Sequence, residues 1–137
     1  MLTKPTIEQI AKIRATEANV LLEANCPSGA MYLCGYAVEL GLKAVIAGKF
    51  EANSIPDKKF VNAVFTHRFE DLIGLAGLGP SLAEAKNDAE FEVNWSIVRD
   101  WSEERRYEII GNEIAEKYIF ATLNEENGVF PWIVSNW

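Results

Sequence analysis

Apolar residues recur along most of this chain at three- and four-residue spacing, and no strand-length run alternates, so the pattern predicts helices throughout. Thr6 with Gln9 three residues on has capping-box spacing and marks the start of a first helix. Ile10, Ile13, Leu21 and Leu22 would supply its core stripe, and Asn25-Cys26-Pro27-Ser28 would end it. Ser28 is an N-cap candidate for a second helix running to about Gly48. Residues 49–65 contain Pro56 and mixed charges and suggest a long connection with room for a short helical turn. Thr66 would cap a third helix through Leu75, with Glu70 and Asp71 favourably placed in its first turn. Gly77-Leu78-Gly79-Pro80 would stop that helix, and Ser81 with Glu84 would open a fourth reaching about Val98. Trp101-Ser102 breaks the pattern, and residues 103–107 suit a turn or short helix. The last helix is expected from Asn112 to about Asn127, with Ile114, Tyr118, Ala121 and Leu123 inward and Gly128 ending it. No internal repeat is present, and the fold class that follows is an all-α, up-and-down bundle.

The second helix is the most informative. It is almost wholly apolar, yet it sets Tyr32, Tyr36, Glu39 and Lys43 within an arc of roughly 60° at about 100° per residue. Nearly opposite runs a stripe of small residues: Ala30, Cys34, Ala37, Gly41, Ala44 and Gly48. That stripe can seat the first helix or the same helix of a second protomer, intramolecular packing being the simpler reading. A helix this apolar belongs inside a bundle, where the charges of Glu39 and Lys43 need partners.

Length and charge narrow the classes. With 137 residues the chain suits one domain that can bury its own core. The segment 128–137 is too apolar to extend into water and is expected to dock as a tail on the bundle or on a partner subunit. The net charge of −7 argues against coating DNA or RNA through a general basic field, while leaving room for a local basic pocket. Cys26 and Cys34 are not a disulfide framework: Cys34 falls on the small stripe as a buried hydrophobe, and Cys26 lies in a loop. With one histidine and no Cys-x-x-Cys, no metal is expected, and nothing in the pattern requires a cofactor. The N-terminus lacks signal-peptide character, and the longest apolar run falls short of a membrane span, so a cytoplasmic protein is the default expectation.

Three segments together resemble the HEPN family of small helical domains. They are Tyr32-x-x-Gly35-Tyr36-Ala37-Val38-Glu39-x-x-Leu42-Lys43-Ala44, then Thr66-His67-x-x-x-x-Leu72, then Trp101-Ser102-x-x-x-Arg106-Tyr107, in the family's order and over most of the chain. The resemblance implies a dimeric bundle of four to five helices. It also implies a toxin–antitoxin or defence setting in which the partner protein is a minimal nucleotidyltransferase. Active relatives are metal-independent endoribonucleases whose signature is an Arg followed, four to six residues later, by a His. Here the window after Arg106 holds Gly111, Asn112 and Glu113, and the window after Arg105 holds Ile110, Gly111 and Asn112. Asn cannot exchange a proton as His can. The resemblance therefore implies a catalytically silent module that dimerises and binds a nucleotide, RNA or partner protein, with an endoribonuclease using a non-standard acid/base group as the alternative.

The ligand-binding candidates are Tyr36, Glu39, Lys43, Arg106 and Tyr107; Arg106 and His67 are the only catalytic candidates. Each has a structural alternative. Glu39 and Lys43 form an i, i+4 pair, and Arg106 could reach back to Glu39 as a buried network that fixes register instead of binding phosphate. His67, one residue after a candidate N-cap, would be kept neutral by the helix dipole and tied to a backbone or carboxylate partner, or would meet Arg106 as a displaced acid/base. Tyr107 could stack on a base or belong to the core. Asn94-Trp95 and Trp101 are expected to anchor the turn between the last long helices.

Overall fold

A computed structural model describes residues 2–137, and all regular structure among them is helical. Among the described residues eight α-helices occur instead of four to five, because the expected fourth helix divides in two and the 49–65 connection and the 128–137 tail each carry a short helix. The first, α1, spans Lys4–Glu23; its cap is Thr3, whose hydroxyl accepts from the Thr6 amide, so Thr6 is already inside the helix. Its buried face is Ile7, Ala11, Ala15 and Ala18, whereas Ile13 is exposed and Ile10, Leu21 and Leu22 are only half-buried. Small residues face inward here because α1 lies close against α2, Pro27–Ala47. A Schellman turn joins the two: Asn25 has φ 61°, its amide bonds the Leu22 carbonyl, and the Cys26 amide bonds that of Leu21.

Pro27 opens α2, so Ser28 is not its cap. The Ser28 hydroxyl instead accepts from the Ile110 amide at 2.8 Å and donates to the Ile110 carbonyl at 3.4 Å, tying the start of α2 to a distant loop. The α2 helix is long and apolar enough to cross a membrane by length and composition alone, which the apolar run count missed. Its apolar residues are instead sheathed by the other helices, with Val38, Leu42 and Ile46 fully buried, the pattern of a core helix.

The connection after α2 carries α3, Lys58–Ala63, capped by Asp57. The next helix, α4, spans Phe69–Leu75 and begins three residues after Thr66; Thr66 accepts from the Arg68 amide in a turn ahead of it. Gly77, with φ 68°, closes α4 in a second Schellman turn, its amide on the Gly74 carbonyl and that of Leu78 on Ile73. Gly79 and Pro80 do not stop structure but start α5, Gly79–Ala85. The expected fourth helix breaks there: Asp88 accepts from the Glu90 and Phe91 amides and opens α6, Ala89–Val98. A 3₁₀ turn covers Glu103–Tyr107.

The seventh helix, α7, runs Asn112–Leu123 with Ala115, Tyr118, Ile119 and Ala121 buried, while Ile114 points to solvent. Gly128 starts the final helix, α8, Val129–Val134. On α8, Phe130 and Ile133 are buried against Gly41 of α2, where an added Cβ would lie 3.0 Å from Ile133 Cγ2. The Trp137 indole donates to the Gly41 carbonyl at 3.0 Å and lies under Lys12 of α1. The small stripe is thus filled from within the chain: Ala37 by Ala11 and Ala15, and Gly41 by α8.

Candidate functional site

Among the described residues Glu39 is the only buried carboxylate, 2 % exposed in the middle of α2. A carboxylate there must be paired. Its Oε1 accepts from Lys43 Nζ at 2.9 Å and from His67 Nδ1 at 3.0 Å. The lysine contact follows from helical spacing. The histidine contact crosses 28 residues and depends on how α4 is anchored. Phe69, two residues beyond His67, is 1 % exposed and stacks on Trp101 with ring planes 7° apart. That stack holds the Thr66–Arg68 turn over α2 and delivers the imidazole to Glu39. His67 stands outside the helix, with Arg68 as the N-cap residue, so its environment is set by a carboxylate more than by a helix end. Because the carboxylate accepts at Nδ1, that nitrogen carries the hydrogen and Nε2 is left for other work on a side chain still 40 % exposed.

Aromatic rings pave the same face. Tyr32 lies 5.7 Å from Tyr36 and 5.9 Å from Trp101, and Tyr36 meets Trp101 edge-on at 6.1 Å. Burial, then the Glu39 charge and Tyr32, push the Tyr36 phenol above its usual pKa, with Arg106 opposing. Tyr36 is therefore the residue that feels both Glu39 and Arg106. Arg106 does not reach Glu39; among the described residues it has no carboxylate within ion-pair distance. It is exposed on the 3₁₀ turn, its guanidinium 4.9 Å from the Tyr107 ring centre. Tyr107 first, then Tyr32, favour its charged form. Tyr107 is 73 % exposed, so it is not a core residue. No contact joins His67 to Arg106.

The face therefore runs from Arg106 and Tyr107, over Tyr32 and Tyr36, to Glu39 with its partners His67 and Lys43. Two participants escaped sequence reasoning. Trp101 is an anchor, but for the aromatic floor beside Glu39. Gly35 admits it: a Cβ there would come within 3.0 Å of the indole. The signal was present, since Gly35 falls off the small stripe of α2, where nothing in the first or last helix requires a glycine. The site is an open face. An apolar cleft of about 660 Å³ lined by Phe50, Pro56, Lys59, Phe60 and Leu75 lies elsewhere and contains none of these residues. Among the described residues no cluster of His, Cys, Asp or Glu is placed to hold a metal.

No family model, curated protein or solved structure matches this chain. Geometry has to carry the functional reading.

Proposed function

We propose that this chain is a HEPN-type binding module, dimeric and without nuclease activity, that takes a phosphate-bearing ligand, a nucleotide or RNA, on the face between Arg106 and Lys43. One observation carries this: Arg106 is the cation on this face with no carboxylate partner among the described residues, set beside an exposed tyrosine. A free guanidinium supplies a planar fork for phosphate, and Tyr107 supplies a ring for a base. Lys43 is different in kind. Its charge is spent on Glu39, so it sets the edge of the site and does not hold phosphate. In the setting the resemblance implies, the partner protein is a nucleotidyltransferase and the context a toxin–antitoxin or defence system.

A second reading has its own support. The Glu39–His67 contact fixes one ring nitrogen on a buried carboxylate and leaves the other without a partner among the described residues on a side chain 40 % exposed, an arrangement open to a general acid/base. His67 would then replace the histidine missing after Arg106, in an endoribonuclease with a non-standard acid/base group. Purified protein is incubated with a mixed RNA pool while nucleotide and RNA binding are followed by calorimetry, beside Arg106→Ala and His67→Ala. The module reading expects no cleavage, and binding weakened about tenfold or more when a charge-assisted phosphate contact is lost in Arg106→Ala. Cleavage by the wild type that both variants lose establishes the second reading. Absence of any binding, with no cleavage, refutes both.

A further inference from the structure

The connection between α2 and α4 leaves an apolar cleft of about 660 Å³, a size that suits small-molecule ligands, walled by Phe50, Pro56, Phe60 and Leu75. Phe60 meets Phe50 near edge-on, with ring centres 5.4 Å apart. Phe50 stays 40 % exposed in spite of that contact, and α3 buries none of its residues. The chain itself leaves this apolar wall uncovered.

The charged groups of the lining are not equally free. Asp57 Oδ1 accepts from the Lys59 and Phe60 amides at 2.7 and 3.2 Å, which commits it to the start of α3. Lys49 and Lys59 also line the cleft, and among the described residues neither has a carboxylate within ion-pair distance. Lys49 extends past Gly77, its Nζ 3.1 Å from where a Cβ would stand there, so its ammonium sits at the end of α4. Lys59 stands across from it on α3. Glu51 is the one lining carboxylate left, so uncommitted cations outnumber carboxylates here, the reverse of a chain with net charge −7.

We propose that this cleft binds a small amphipathic monoanion, an aliphatic carboxylate of medium chain length. The alkyl chain lies on Phe50, Phe60 and Leu75, and the carboxylate accepts from Lys49 and Lys59. Burial of the alkyl chain drives binding, and the two ammonium groups select the anion. The field of an acidic protein repels anions, so a preference for one has to come from these side chains. The cleft shares no residue with the Arg106–Lys43 face, so this site is separate from the phosphate site proposed there.

The test titrates the ¹⁵N-labelled full chain with decanoate, below its micellar range, beside decanol and decylammonium. Expected is one saturable decanoate site whose amide shifts centre on Phe50, Phe60 and Leu75. Decanol and decylammonium should bind about tenfold or more weakly, the loss of a charge-assisted contact. Lys49→Met/Lys59→Met should erase that difference in a folded protein, both lysines being exposed. Equal binding of the three ligands by the wild type overturns the proposal, even if the double variant fails to fold. So does a folded double variant that keeps the preference for decanoate. Decanoate shifts that are absent at millimolar ligand, or that saturate only elsewhere, overturn it as well. Shifts at Phe50 and Phe60 that grow with protein concentration alone, without a decanoate site, assign the cleft to a second copy of the chain and overturn it too.

Discussion

Gly35→Ala sets two effects of opposite sign against each other. In a helix interior, alanine is favoured over glycine by about 0.8–1 kcal/mol. Against that, the new methyl would sit well under 3.0 Å from three atoms of the Trp101 indole, so the ring must retreat by more than 1 Å to reach ordinary contact at 3.4–4 Å. It has little room to do so, being 3 % exposed, stacked on Phe69 and flanked by Tyr32 and Tyr36. Overpacking of this kind costs about 1–3 kcal/mol, and losing a buried aromatic outright about 3–5. After the propensity gain the net loss should be about 0–2 kcal/mol if the indole shifts in place and about 2–4 kcal/mol if it is expelled. Gly74→Ala is the control, because nothing lies within 4 Å of its Cβ position and Gly74 is exposed on α4. It should be neutral or stabilise by up to about 1 kcal/mol. Urea unfolding followed by far-UV dichroism gives both values, and Trp fluorescence reports the indole. A Gly35→Ala protein as stable as the wild type, with unchanged fluorescence, would mean that Trp101 does not pack on this turn.

Four further outcomes are expected. Burial pushes the Cys34 thiol up to about 12 from 9.0, so at pH 8 a disulfide reagent should titrate one cysteine, the exposed Cys26, and reach the second only after unfolding. The same shift makes the fold alkali-sensitive: its contribution is intact below pH 9, where the unfolded thiol still holds its proton, and is lost toward pH 12 at roughly 1.4 kcal/mol per pH unit, a slope that Cys34→Ala should reduce. Asp88→Ala removes the cap of α6 and should lower stability by about 1 kcal/mol in urea, with Asp88→Asn recovering most of it; no loss would mean α6 needs no separate start. Lys43→Met deprives buried Glu39 of one of two donors and should cost about 1.5–3 kcal/mol by thermal unfolding, whereas Glu39→Gln/Lys43→Met together should cost less than the sum.

What could be foreseen divides along the distance over which residues act. Periodicity gave the all-helical class, the extent of α2, and the end of α4 near Leu75, since these depend on neighbours in sequence. It misjudged starts wherever two capping residues competed. Thr6 and Thr3 both fit the head of α1, and Thr3 prevails because Pro5 then falls in the first turn, where a missing amide is harmless. Ser81, expected to open a fourth helix, caps neither segment: α5 starts two residues before it at Gly79, the Ser81 hydroxyl bonds Asn136, and Asp88 caps α6. The inward face of α1 was misread by choosing the largest apolar residues: against the small stripe of α2, alanines allow the closer approach. Within the site, the Glu39–Lys43 pair was legible as i, i+4 spacing. The Arg106–Glu39 contact was the wrong guess because charge matching alone ignores where Trp101 places the turn that follows it.

Glu39 poses as a choice between structure and function, and its surroundings remove the choice. A carboxylate at the centre of an apolar helix would be intolerable without donors. Lys43 alone could supply one from the same helix, yet the fold brings His67 across as well, using Phe69 on Trp101 as the clamp. The residue that satisfies the core charge is thus also one whose second nitrogen has no protein partner among the described residues. A purely structural partner would be better served by a buried side chain than by one 40 % exposed. A purely functional histidine would not need its carboxylate sunk to 2 % exposure in the middle of the core helix. Burial of Glu39 ties the orientation of His67 to the folding of the whole bundle, so that the site is rigid whenever the protein is folded.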